Sequence, residues 1–185
     1  MLGGYGVFGS GAYVEKTFDL SGAPEHSAVR VQLDFVQVDW WNGEFAYLLL
    51  GGEVVWSQSF SGGGGSQQCG GSGDWWKEQL VGVEGVLHTS ASSVTVRVET
   101  DLNEAATDEA WGIQSVRVSV FVAPPLAPPP PSPPRPPPLP PLQPGSTLVA
   151  HDVWPGASGW SSNAPLTVTT CGEPGAVAAR LTCKL

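Results

Sequence analysis

Hydrophobic and polar residues alternate along most of the chain up to residue 122. The cleanest stretch is Val29–Val38 (VRVQLDFVQV), where apolar side chains occupy every second position until the alternation shifts near Val36. Val94–Thr100 and Ile113–Val122 alternate in the same way. A period of two places successive side chains on opposite faces of a strand. No window repeats with the period of an amphipathic helix, so the pattern predicts an all-β domain.

Five further strands are predicted from shorter or weaker patterns. They are Ala12–Phe18, Phe45–Leu50, Val54–Phe60 and, with weaker alternation, Trp75–Val83 and Val86–His88. Gly51-Gly52 is a strong hairpin signal, because glycine accepts the positive φ of a tight turn. Many short strands separated by turns predict an antiparallel β-sandwich or jelly roll over residues 1–123. The glycine-rich stretch Ser61–Gly73 is expected to be a mobile loop.

The alternation ends at a proline tract, PPLAPPPPSPPRPPPLPPLQP, which covers residues 124–144 and holds 14 of the 18 prolines. Proline fixes φ and lacks a backbone donor, so we expect a polyproline II rod here rather than a helix or a sheet. At about 3.1 Å per residue the rod would span roughly 65 Å. The remaining residues, 145–185, are too few for a comfortable core of their own.

Composition limits the classes of partner and reaction. The chain of 185 residues has a net charge of −9, which argues against nucleic acid and against an anionic membrane surface. No apolar run is long enough for a transmembrane helix, so membrane insertion is not expected. The three histidines are scattered, and no nucleophile has an evident base. We therefore do not expect an enzyme.

Two acidic loops are candidates for a cation site. One begins at Asp39 (DWWNGE), and the other runs from Asp101 to Trp111. Loops of a sandwich cluster at its two ends, so distant loops can meet there. Converging carboxylates repel each other unless a cation lies between them, and Ca²⁺ takes about six to eight oxygen ligands. The alternative is that these carboxylates are ordinary solvated surface charges.

Two tryptophan pairs also have two interpretations. Trp40 and Trp41 are the candidates for sugar contacts, and Trp75-Trp76 forms a second pair. Indole rings can stack on sugars, but they can equally pack in the core or at its rim, which is the commoner role.

Four segments resemble a repeated β-sandwich module of large secreted and ciliary surface proteins of ciliates and green algae. They are GGYGVFGSG, VDWWNGEFAY, VLHTSASSVTVRV and DEAWGIQSVRV, in that order within residues 1–122. These modules are similar to galactose-binding-like lectin domains. The resemblance implies an acidic, calcium-binding end of the sandwich. The residues it assigns there are Asp39, Asn42, Glu44, Asp108 and Glu109.

The same resemblance has limits at two points. Ala110 stands where the family pattern usually has serine. Glu44 and Asp108 have an alternative structural role, in which they hold loops by hydrogen bonds rather than bind a cation.

The proline tract resembles the hydroxyproline-rich rods of green-algal cell-wall and ciliary glycoproteins of the pherophorin type. That resemblance implies O-linked glycans on hydroxyproline. The residues it assigns are Pro129, Pro130, Pro131, Ser132, Pro133, Pro134, Pro136, Pro137 and Pro138. Leucine and arginine interrupt the tract, so modification is expected to be patchy. An SH3 or WW ligand and an undecorated rigid spacer are the alternatives.

Residues 145–185 resemble the opening segment of a further module, most clearly at His151–Gly172. The sandwich of residues 1–122 then lacks its own opening strand and exposes an edge. We expect Thr167–Cys171 to dock on that edge by strand addition, either in cis or from another copy.

Three cysteines, Cys69, Cys171 and Cys183, allow three pairings and leave one over. A secreted setting favours pairing. The resemblance implies a Cys69–Cys171 disulfide, and Cys171–Cys183 is the local alternative.

These observations predict a structural subunit of an extracellular or ciliary-surface glycoprotein fibre that assembles with itself head to tail. The architecture expected is a sandwich, a polyproline II rod and a short C-terminal strand segment. The alternative is a calcium-dependent carbohydrate-binding module with glycan partners.

Overall fold

The computed structural model describes residues 1–62 and 64–122, together with the backbone of residues 146–151 and 161–162. Every regular element in these residues is a β-strand. The strands are β1 Leu2–Gly3, β2 Tyr13–Asp19, β3 His26–Asp39, β4 Asn42–Leu50, β5 Glu53–Ser61, β6 Gln79–Leu87, β7 Ser93–Thr100, β8 Glu109–Val122, β9 Ser146–His151 and β10 Ser161–Ser162. The described residues contain no helix of the length and apolar character needed to cross a membrane.

The strands form two antiparallel sheets. One sheet has the order β1-β8-β3-β6, with β9 also paired to β8, and the other has the order β10-β2-β7-β4-β5. Apolar residues from both sheets, such as Val31 of β3 and Val96 of β7, lie in one buried cluster between them. The predicted β-sandwich is therefore confirmed for the described residues, whereas the proline tract of residues 124–144 lies outside them.

Aromatic rings fill one end of this core. Phe35 stacks on Phe60 at a centroid distance of 5.4 Å and on Trp111 at 5.8 Å. It also meets Trp41 edge to face at 6.0 Å, and Trp111 packs on Phe8 at 4.8 Å. Rings in such tilted and stacked contacts contribute more than their buried area alone. Because these residues come from both sheets and two loops, the cluster ties the loops at this end to the core.

The predicted strands have counterparts in the structure, but β1 was not predicted, and β4 and β8 begin earlier than expected, at Asn42 and Glu109, so part of each acidic loop is strand. One further region differs. The expected strands Trp75–Val83 and Val86–His88 are one strand, β6, which begins only at Gln79. Trp75 and Trp76 precede it in a loop. The shift near Val36 also has a physical reason, because the outer face of the sheet is covered there. Val36 and Val38 pack with Cys69, which belongs to the loop between β5 and β6.

A β-bulge adjusts the longest pairing. The register between β3 and β8 shifts between Gln32 and Asp34, and Ser115 opposite has a left-handed φ of 57°. The extra residue belongs to β8. It lets both Ile113 and Val116 face the core, although they are an odd number of positions apart in that strand.

The C-terminal strands lie on the outer edges of both sheets. β1 pairs with β8 only at Ile113 and Gly112, and β9 continues along the same edge from Arg117 to Phe121. β10 pairs with the outer edge of β2. The C-terminal segment pairs with the sandwich through residues 146–151 and 161–162. The segment we expected to dock, Thr167–Cys171, lies outside the described residues.

Two loops are held together at the aromatic end of the core. The N–H of Gly6 donates to the carbonyl of Ala106 at 2.7 Å, and the N–H of Ser10 donates to the carbonyl of Glu104 at 3.0 Å. Between these two bonds, Gly9 lies directly against the backbone of Ala106. The absence of a side chain at Gly9 therefore permits the two backbones to approach.

We expect Gly9→Ala to lower the free energy of unfolding by about 1–3 kcal/mol, the usual cost of overpacking. An added Cβ would lie 2.5 Å from the backbone nitrogen of Ala106. Urea unfolding followed by tryptophan fluorescence measures this change. Gly22→Ala is the matched control, since a Cβ there meets nothing within 4 Å. Equal destabilisation of the two variants would contradict the close contact of the loops.

Candidate functional site

Acidic residues gather at the end of the sandwich where β3 ends and β8 begins. Asp39 and Glu109 are paired partners at the last position of the β3–β8 ladder, and both are fully buried. Each belongs to a different group of carboxylates. The Asp39–Glu78 pair lies under the loop around Cys69, and the Glu109 group contains Glu109 with its neighbours Glu44, Glu104 and Asp108.

Asp39 has a strained backbone and a tightly enclosed carboxylate. Its φ is 63°, in the left-handed region that side-chain-bearing residues seldom adopt. Its carboxylate accepts the N–H of Gly71 at 3.0 Å. A Cβ on Gly70 would lie 2.2 Å from its Oδ2 atom, so only glycine fits there. Burial raises the pKa of Asp39 to about 6, despite the opposing hydrogen bond from Gly71.

Glu78 holds the same loop from the other side. Its Oε2 atom accepts the backbone N–H groups of Gln68 and Cys69, the latter at 3.1 Å. Its Oε1 atom has no hydrogen-bond partner among the described residues. Burial raises the pKa of Glu78 to about 7, and the charge of Asp39 adds to that increase.

Glu109 is the most exceptional member of the second group. Both of its carboxylate oxygens are buried, and neither meets a donor in good hydrogen-bonding geometry among the described residues. Burial is the largest cause that raises the pKa of Glu109 to about 7, and the charges of Glu44 and Glu104 add to it. Nearby backbone amides of Glu104 and Asn103 oppose the increase only in part. The pKa of Glu104 is raised as well, chiefly by its hydrogen bond to Asp108.

The predicted calcium residues therefore share one end of the fold but do not form one cluster. Asn42 is exposed, and its backbone N–H donates to Glu44 Oε2 at 2.7 Å, which is the loop-holding role given as the alternative for Glu44. Asp108 is half-buried, and its carbonyl accepts the N–H of Trp40 at 3.3 Å. Within residues 1–62 and 64–122, no three histidine, cysteine or acidic side chains are grouped so that they could hold a metal ion. Calcium binding remains a prediction.

The two tryptophans predicted to contact sugar have different environments. Trp41 is 1% exposed, lies in the core, and donates its Nε1–H to the carbonyl of Ala110 at 3.0 Å. No face of its ring is open to a sugar, which leaves Trp40 as the accessible member of the pair. Trp40 is half-buried and meets Trp75 edge to face at 5.3 Å, and Trp75 is 57% exposed.

The predicted disulfide and glycan residues are only partly within the described chain. Cys69 is buried, while its expected partner Cys171 and the prolines expected to carry glycans lie outside the described residues.

Glu78 was not predicted. It sits one residue before β6 in a stretch assigned wholly to a strand, so no pattern marked it as a loop anchor. Glu104 was within the second acidic loop, but nothing singled it out.

Comparison of the chain with known proteins identified no relative. No protein-family model matches the chain, and neither a curated protein nor a solved structure shows significant similarity to it.

The raised pKa of Glu109 predicts a defined pH dependence of stability. The folded pKa is about 7 and the ordinary value is 4.5, so the folded state holds its proton more tightly. The contribution of this group to folding is therefore complete at acidic pH and is lost as the pH rises through about 7. The values of about 6 for Asp39 and about 7 for Glu78 act in the same direction.

We expect Glu109→Gln to raise the melting temperature at pH 8 and to have little effect near pH 4.5. The neutral amide removes a buried charge that forms only at the higher pH. Differential scanning fluorimetry across this range measures the effect. Glu25→Gln removes the same charge from an exposed position and serves as the control. A constant difference between Glu109→Gln and the unmodified chain at all pH values would contradict the assignment.

Proposed function

We propose that this chain is a structural subunit of an extracellular or ciliary-surface glycoprotein fibre, in which one copy adds a strand to the sandwich of the next. The observation that supports the proposal most directly is the position of β9 and β10 on the outer edges of β8 and β2. These strands follow the proline tract in the chain, so the tract is the stretch of backbone that connects them to the sandwich.

The edge of β8 creates a need for an added strand. β1 covers this edge at only two positions. Without β9, the stretch Arg117–Phe121 would present a row of unpaired backbone N–H and C=O groups. An added strand satisfies such groups with main-chain hydrogen bonds and so needs little side-chain specificity. The same argument applies to β2, whose outer edge is met by β10.

In the structure β9 pairs with β8 of the same chain, and the expected stiffness of the proline tract bears on whether this pairing forms within one chain or between copies. Phe121 of β8 is paired with Ser146 of β9, and residues paired in this way lie about 5 Å apart. A polyproline II rod over the tract would instead hold its ends roughly 65 Å apart. The stiffness expected of the tract therefore favours a β9 donated by another copy. Repeating one such head-to-tail contact generates an open filament.

The proposed location outside the cell is based on the same segments. Hydroxyproline with O-linked glycans on the tract would keep the rod extended and solvated. A secreted setting also permits the Cys69–Cys171 disulfide, which would join the C-terminal segment covalently to the sandwich it docks on.

The test measures the mass of the full chain against its concentration by light scattering. We expect the mass to rise with concentration. Replacing residues 124–144 by a glycine-serine linker of equal length should return the chain to a monomer, because a flexible linker lets β9 pair with its own sandwich. A full chain that stays monomeric at every concentration would contradict the proposal.

Leu148→Pro and Leu148→Ala form a matched pair for the same measurement. Leu148 is paired with Ser119 in the β8–β9 ladder. Proline removes a backbone donor and distorts the strand, whereas alanine changes only the side chain. Assembly should be lost with proline and largely kept with alanine.

A second candidate function is a calcium-dependent carbohydrate-binding module. The exposed ring of Trp75 beside Trp40 favours it, because indole faces stack on sugars. The buried carboxylates at the same end of the sandwich carry no neutralising basic side chain in the described hydrogen bonds and ion pairs.

A glycan array with and without a chelator tests this second candidate. Specific binding that disappears with the chelator and with Trp75→Ala would support a lectin. Binding to no glycan under either condition would leave the fibre subunit as the only proposal.

A further inference from the structure

We propose that an exposed aromatic surface of the sandwich binds the arginine-containing part of the proline tract from another copy of this chain. The surface, here called the aromatic corner, consists of Trp40, Asp74, Trp75 and Trp76. The bound segment is RPPPLPP, residues 135–141. This inference is independent of the strand addition proposed above.

The aromatic corner presents one exposed indole ring, that of Trp75, beside the half-buried Trp40 and Trp76. Trp75 is more than half exposed, yet its ring is positioned by the edge-to-face contact with Trp40. The backbone of Trp40 is in turn held by the carbonyl of Asp108. Exposed tryptophans on an ordered support are typical of the positions that dominate binding energy at interfaces.

Glycines shape the neighbouring part of the corner. A Cβ on Gly71 would lie 2.3 Å from the ring of Trp76, so the ring occupies space that only glycine leaves free. The N–H of Trp76 donates to the carbonyl of Gly73 at 3.3 Å, which closes the turn that presents Trp75. The corner is therefore formed before any ligand arrives, which lowers the entropic cost of binding.

A polyproline II segment has the complementary shape. With three residues per turn, residues 135, 138 and 141 fall on one edge of the helix. In this chain they are Arg135, Pro138 and Pro141. Segments with this spacing dock their proline rings between aromatic side chains, and the preformed helix loses little entropy on binding.

The single charge of the tract would fix the orientation of the bound segment. Arg135 is the one charged residue of the proline tract. Asp74 is exposed and directly precedes Trp75, and the half-buried Asp108 contacts Trp40 through its backbone. A guanidinium group beside the Asp74 carboxylate and the indole faces would gain both ionic and cation–π contacts.

The reach of the chain excludes its own tract as the ligand when β9 is docked as described. Ser146 is paired with Phe121, which is paired with Ala28 on β3. Asp39, next to the corner, is 39 − 28 = 11 residues further along β3, or about 36 Å away. The five residues from Pro141 to Ser146 span at most about 18 Å. The tract must therefore come from a copy other than the one that supplies β9.

The consequence is a contact that strand addition alone does not provide. When β9 comes from the same chain as the sandwich, as in the structure, an occupied corner links another copy to that sandwich. Such contacts would join copies side by side. Glycans on Pro136–Pro138 would obstruct the docked edge, so docking and modification of this stretch exclude each other.

The test uses the full chain at low concentration and an unmodified synthetic peptide of residues 124–144. We expect saturable binding, followed by a change of tryptophan fluorescence and by calorimetry. Trp75→Ala should weaken the affinity by about tenfold or more, as for loss of an aromatic anchor. Val54→Ala is the control, since Val54 is also 57% exposed but lies on β5.

A charge exchange separates recognition from a general loss of structure. The peptide with Arg135→Asp should bind the unmodified chain weakly and should regain affinity for the Asp74→Arg variant. The proposal is overturned if the peptide does not bind, if Trp75→Ala and Val54→Ala weaken it equally, or if the exchange restores nothing. Binding only to a peptide that carries O-linked sugars would also overturn it, because the sugar would then be the ligand.

Discussion

The packing of Trp41 and Trp111 against Phe35 is the interaction on which the acidic end of this sandwich depends. Each of the two tryptophans follows a carboxylate by two positions, Asp39 in one case and Glu109 in the other. Once both indoles are fixed in the core, the chain just before each of them must lie at the rim of the sandwich. Burial of the two indoles therefore also buries the carboxyl groups of Asp39 and Glu109. The loss of solvation raises the pKa values of both groups.

The same anchoring places the loops around the carboxylates. The loop that contains Cys69 closes over Asp39 through hydrogen bonds to Asp39 and Glu78, and it presents Trp75 at its end. The opposite rim of the sandwich has a different structure, since the paired ends of β8 and β9 lie there. The two ends are therefore chemically distinct. One is acidic and aromatic, and the other is a backbone edge.

Much of the fold could be predicted from the chain because alternation is a local property. It located the long strands β3, β7 and β8 and the hairpin at Gly51-Gly52. The alternation could not be extended past Asp39, because the left-handed φ of this residue changes which face of the sheet the following side chains occupy. For that reason Trp40 and Trp41 could not be told apart, although one is at the surface and the other is in the core. Glu78 became visible only through backbone groups brought to it from Gln68 and Cys69.

The direction of the β8–β9 ladder determines how a fibre of the proposed kind would respond to tension. The tract enters β9 at Ser146, and the tract of the accepting sandwich leaves just beyond Phe121, which is the partner of Ser146. Both pulling points thus lie at the same end of the ladder. Stretching would load the hydrogen bonds one pair at a time, as in unzipping, rather than all together in shear. Such a joint yields at modest force and closes again pair by pair, so the fibre would extend reversibly at its junctions while each sandwich stays folded.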